Sequence, residues 1–150
     1  MRYNYLILIL PLLLIISSCN SDTVNITTRI GKESTHAESE HQKSSVATLE
    51  LYKNEYLRGE FVEVELRNNS NSHLEYGSNY GIEVFKENKW MEVSLENLDF
   101  TLGLVSLAPK EEVTFRFELD FLEPGKYRLI KEVFMEDKQV YLITDSFNIR

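Results

Sequence analysis

The chain has 150 residues, 43% hydrophobic and 27% charged, which suits one globular domain and is too short for two ordinary ones. Sixteen basic against 24 acidic residues give a net charge of -8, which opposes contact with phosphate backbones and argues against nucleic acid as a partner. A single cysteine excludes an internal disulfide, so the core must hold without covalent staples.

At the start of the chain, Arg2 precedes the apolar run LILILPLLLII over residues 6–16, followed by Ser17, Ser18 and Cys19. A positive region, an apolar stretch and small residues are the order a secretory signal requires. A helix needs about 20 residues to cross the hydrocarbon core, and this shorter run is also broken by Pro11. Residues 1–18 therefore read as a removable signal and not as a permanent span.

Ile16-Ser17-Ser18-Cys19 resembles the lipobox of bacterial lipoproteins. The resemblance implies cleavage between Ser18 and Cys19 and a diacylglyceryl thioether on the Cys19 sulfur, a bond that needs a thiolate nucleophile. Two acyl chains give a stable hold, each buried methylene adding about 0.8 kcal/mol. The implied location is the outer face of the cell membrane, with lipid on Cys19 as the membrane contact.

Residues 19–45 are rich in Ser, Thr, Glu, Lys and Asn and contain no aromatic residue. They are expected to form a flexible, solvated linker, with a mean reach of roughly 25 to 30 Å for a coil of this length. His36 and His41 lie here beside Glu38 and Glu40. Scattered polar residues in a tether explain them better than a metal site, and no metal or cofactor is assigned.

From Val46 onward, β-branched and aromatic residues return with a period of two. Val62, Val64 and Leu66 alternate with Phe61, Glu63, Glu65 and Arg67, and the run VTFRFEL over 113–119 has one apolar and one polar face. Ile82 and Val84 lead into a hairpin turn at 86–89, before Trp90 and Val93. Further strands are expected over 47–52, 100–105, 126–134 and 139–149. Turns fall at Arg58-Gly59, 68–72, 76–81, 108–110, Pro124-Gly125 and 136–138, a spacing that indicates a sandwich.

The segment LEPGKYR over 122–128 resembles the late-strand entry of bacterial immunoglobulin-like domains. In such a turn Pro fixes one dihedral, Gly takes a positive one, and the corner Tyr bonds back to main chain. Leu107-Ala108-Pro109 and the run KWMEV over 89–93 extend the resemblance to residues 46–150, most of all to the small domains of low-GC Gram-positive lipoproteins. It implies an all-β, immunoglobulin-like antiparallel β-sandwich of about seven strands. The two sheet-bridging cysteines of antibody-type domains are missing.

Material for catalysis is sparse. His73 is the only histidine after residue 45, it sits in the polar turn NNSNSH, and neither G-x-S-x-G nor H-E-x-x-H occurs. Glu63 with Glu65, and Glu118 with Asp120, lie two apart on a strand face, where a solvated outer surface is the simpler reading. Met91 and Met135 read as core fillers. Tyr76 and Tyr80, in the loop YGSNYG, together with Trp90, are the candidate partner-binding residues, with packing onto the sandwich end as the competing reading. The expectation is a non-catalytic, membrane-anchored protein-interaction module. The alternatives are an inhibitor of a protease or envelope enzyme, and a cell-envelope hydrolase using paired carboxylates.

Overall fold

The computed structural model describes residues 27–36, 45–96, 100–101, 103–136 and 138–150. The signal segment, Ser18, Cys19, Glu38, Glu40 and His41 lie outside the described residues.

Alternation produces a three-stranded sheet in the order β2 (Ala47–Leu51), β4 (Phe61–Asn68), β9 (Glu112–Glu118). Val62, Val64 and Leu66 of β4 are fully buried, and Val113, Phe115 and Phe117 of β9 are half-buried beside them. Glu63, Glu65, Thr114 and Arg116 point the other way. One face dry and one wet is the condition under which a period of two survives in sequence.

The larger sheet is centred on β10 (Gly125–Met135). Tyr127 pairs with Val84 of β6 (Gly81–Lys86) and with Phe147 of β12 (Phe147–Ile149). Further along, Val133 pairs with Tyr76 of β5 (Leu74–Tyr76) and Val140 of β11 (Lys138–Ile143). Outside these, β7 (Lys89–Glu96) pairs with β6, β8 (Val105–Leu107) with β5, and β3 (Glu55–Tyr56) runs parallel to β12. The chain thus changes sheets between β2 and β3.

The core lies between the sheets, where Leu66, Leu74, Leu129, Val133 and Phe147 are almost wholly enclosed. If each such side chain gains about 1.5–3 kcal/mol on burial, this cluster supplies the main drive for folding.

The all-β sandwich is as expected, with twelve strand segments among the described residues because continuous runs are interrupted. The single strand expected over 139–149 breaks at Thr144, whose Oγ1 accepts from Leu129 N at 3.0 Å and so substitutes a side chain for a ladder bond. The strand expected over 100–105 begins only at Val105. The turn expectations fare better. Glu87 and Asn88 both take positive φ, 52° and 61°, in the two-residue hairpin between β6 and β7. Gly59, at φ 86°, closes the turn in which Glu60 N donates to Leu57 O at 3.0 Å.

Two expectations need correction. Gly125 is not among the positive-φ glycines; it opens β10, and a Cβ there would stand 3.1 Å from Tyr127 Cε2. The glycine therefore makes room for the corner ring. The second correction concerns the linker, because β1 (Thr27–Glu33) pairs antiparallel with β7, with Thr28 opposite Leu95 and Ile30 opposite Val93. Ordered structure begins within the stretch read as solvated coil. Backbone bonding to an edge strand needs no apolar period, so composition gave no sign of it.

Candidate functional site: an open sandwich edge

Two main-chain bonds determine which way β2 faces. Tyr52 N donates to Glu63 O at 3.2 Å and Asn69 N donates to Val46 O at 2.9 Å. In an antiparallel ladder such pairs alternate, so Thr48 and Glu50 also bond to β4 while Ala47, Leu49 and Leu51 turn their N–H and C=O outward. The same reasoning applies to β11. Thr144 N donates to Leu129 O at 3.0 Å, so Leu142, Val140 and Lys138 bond to β10 and Gln139, Tyr141 and Ile143 face away.

These two ladder edges flank a cleft of about 400 Å³. Leu49, Leu51, Leu142 and Ile143 give it an apolar lining, and Glu50, Lys53 and Asp145 stand at its polar rim. Lys53 Nζ also bonds Glu60 Oε2 at 2.8 Å, and with the Leu57 amide it holds the Glu60 carboxyl below its ordinary pKa. Chemically, the cleft combines a row of main-chain donors and acceptors with shallow apolar ground, which suits an extended peptide.

The aromatic residues singled out in the sequence do not form one open patch. Tyr76 is 9% exposed and meets Phe115 edge-on at 5.3 Å, inside the sandwich. Tyr80 packs there too, 4.3 Å from Phe117, and burial raises its hydroxyl pKa. Trp90, 8% exposed, lies on the other face of the larger sheet, over the Arg128 guanidinium at 4.3 Å. Packing takes all three rings because large apolar area gains more from contact than from exposure.

The carboxylate pairs stand apart on the outer face of the smaller sheet. Glu63 meets Arg116 at 3.1 Å, and Arg67 bridges Glu65 at 2.9 Å and Glu112 at 2.7 Å. Glu118 and Asp120 are exposed, and so is His73. Met91 and Met135 pack against the core. His36 lies 4.9 Å from the Tyr141 ring. Among the described residues, no group of three or more His, Cys, Asp or Glu is placed to hold a metal ion.

Three buried charges escaped the sequence reading. Lys131 points into the sandwich, bonding Gly77 O at 2.5 Å and Asn79 O at 2.6 Å, and burial pushes its amine down to about 8. Glu83 and Arg128 form an ion pair at 2.6 Å, 1% and 3% exposed. Alternation could have flagged them, since Arg128 and Lys131 interrupt the apolar stretch YRLIKEV on opposite faces of one strand.

The bacterial Ig-like domain family matches residues 43–148. No curated protein matches the chain. Among solved structures, it is similar to an alkylpurine DNA glycosylase from Pseudomonas fluorescens at 13% identity and TM-score 0.44, over 70% of this chain and 30% of that one. Similarity to the sulfur carrier protein SoxY from Chlorobium limicola is 13% with TM-score 0.37, over 81% of this chain and 86% of that one. A β-glucosidase from Listeria innocua matches at 14% and TM-score 0.40, over 81% of this chain and 22% of that enzyme. These likenesses are too distant to bear on activity. The family match spans most of the chain, in agreement with the two-sheet architecture and the corner tyrosine, and the chain belongs to the bacterial Ig-like domain family.

Proposed function

We propose that the chain is a lipid-anchored, non-catalytic interaction module on the outer face of the cell membrane. It takes an extended segment of an envelope protein along the open edge between β2 and β11. The observation that carries this reading is the pair of outward-facing ladders, at 47, 49 and 51 of β2 and at 139, 141 and 143 of β11, with the cleft lying between β2 and the Leu142–Ile143 end of β11. A strand added there gains main-chain bonds that neither sheet supplies, and the half-buried Leu51 and Ile143 offer side-chain contact. The lipobox ending in Cys19 supports the anchoring, and an Ig-like domain is compatible with an extracytoplasmic position.

The test uses proline. At Leu51 or Ile143 it removes an outward N–H without touching a bond to β4 or β10. A partner captured from native membranes by the wild-type chain should be lost by Leu51→Pro and Ile143→Pro and kept by Glu63→Gln on the far face. Equal retention by all forms rejects the edge as the site. Cys19→Ser should abolish incorporation of labelled fatty acid and release the chain from membranes; persistence of both rejects the anchor.

A further inference from the structure

Residues 27–36 precede the span matched by the family, yet they cover one of its faces. After β1, the chain crosses the outer side of the larger sheet. Ser34 N donates to Trp90 O at 2.9 Å, and Ser34 Oγ donates to a Glu83 carboxylate oxygen. His36 N then donates to Ser34 Oγ at 2.9 Å, and Arg128 Nη2 donates to His36 O at 3.0 Å. The Glu83–Arg128 pair is thus buried by a polar strap laid over it.

The strap contributes little to the sandwich itself. Among the described residues, the hydrophobic core contains none before Ala47, and Ile30, the strap's largest apolar side chain, is 48% exposed. A segment held by main-chain bonds and polar contacts, with little apolar burial, opens at low free energy while the rest stays folded. What it uncovers is a carboxylate, a guanidinium fork and an indole beside the bare edge of β7. Before the strap crosses, Lys32 meets Glu92 at 3.7 Å and Glu33 meets Lys89 at 2.7 Å. The run Lys32-Glu33-Ser34 is therefore matched, charge for charge and hydroxyl to carboxylate, by groups of the domain.

We propose that this face is a second peptide-binding site, occupied in cis by residues 27–36. Its ligand is an extended segment with a basic, an acidic and a hydroxyl residue in succession. The segment adds to β7, places its hydroxyl on Glu83 and gives a main-chain carbonyl to Arg128. The strap competes with it, so affinity is set by how readily the strap lifts.

The probe is a labelled synthetic decapeptide with the sequence of residues 27–36, titrated by fluorescence anisotropy against the mature chain bearing Cys19→Ser. Ser34→Pro in the chain removes both the amide donor and the hydroxyl of its own strap, and Ser34→Ala removes the hydroxyl alone. With the cis competitor weakened, Ser34→Pro should bind the peptide at least about tenfold tighter than the unmodified strap allows, with Ser34→Ala between them. A peptide carrying alanine at the serine position should lose most of that gain. Equal binding of a scrambled peptide overturns the proposal, as does no binding by either variant when circular dichroism shows both folded. Failure of both variants to fold also overturns it, because the strap would then be part of the fold and not a cover.

Discussion

From inside the sandwich, the Lys131 ammonium holds the Gly77 carbonyl oxygen at 2.5 Å, so a buried cation fixes the loop that carries Tyr80. Replacing it with methionine leaves two carbonyls, of Gly77 and Asn79, without their donor, and Lys131→Met should cost about 1–3 kcal/mol in urea unfolding. The cost should depend on pH. Burial lowers the folded-state value from 10.5 to about 8, so between these limits the unfolded chain binds more protons. Stability of the wild type therefore rises with pH through this window, and the methionine form lacks that rise. The gap between the two should be larger at pH 10 than at pH 7; an unchanged gap would show the amine to be unperturbed.

Two tyrosines should respond oppositely to loss of the hydroxyl. Tyr127 Oη donates to Glu123 O at 2.7 Å across the corner before β10, and Tyr127→Phe should lower stability by about 1 kcal/mol. Among the described residues, Tyr56 Oη is buried without a hydrogen bond of good geometry, although burial, which raises its pKa, is partly offset by the nearby main chain of Lys53 and Glu63, and the ring packs edge-on against Phe147 at 5.6 Å. Removing an unsatisfied polar atom relieves a desolvation cost, so Tyr56→Phe should be neutral or stabilising by up to about 1 kcal/mol. Parallel thermal melts distinguish the two; a clear loss in Tyr56→Phe would mean that the hydroxyl has a partner in solution.

Much of the sandwich was readable where a single physical rule acts alone. Val62, Val64 and Leu66 alternate because only one face of their sheet is dry. The hairpin at 86–89 was visible from its turn, and the corner from Tyr127 after Pro124 and Gly125. The rest depended on partners distant in sequence. Arg128 looks like a solvent-facing residue until Glu83, 45 positions earlier, and the strap from His36 close over it. The open edge at β2 was hidden for another reason: it is defined by bonds that are not made, and residue types do not record these. Tyr76, Tyr80 and Trp90 appeared available because aromatic residues in loops serve packing and recognition equally well.

The Glu83–Arg128 pair offers a third test. Arg128→Met leaves a carboxylate without its cation, and cutting a buried pair in this way costs about 3–5 kcal/mol. Glu83→Leu combined with Arg128→Met removes both charges and should recover most of that loss, because desolvation consumes much of what the pair gains. Urea midpoints of the two single variants and the double variant give the coupling directly. Strict additivity would show that the two groups do not act as a pair.

The β6–β7 hairpin can be improved. Glu87 and Asn88 both occupy left-handed backbone, a conformation that favours Asn followed by Gly. Glu87→Asn with Asn88→Gly should raise stability by about 0.5–1 kcal/mol, visible as a higher melting temperature. An unchanged or lower value would mean that the turn relaxes in solution to another type.

Docking of β1 also changes the geometry of display. If Cys19 carries the proposed acyl chains, only residues 20–26 would separate the lipid from β1, instead of the full stretch before Ala47. Fully extended, seven residues reach at most about 25 Å. Under the proposed anchoring, the module would sit low over the headgroups with its β7 side nearest the lipid. Lifting the strap would lengthen the leash and let the body swing outward, so occupancy of one face would govern how far the protein can search.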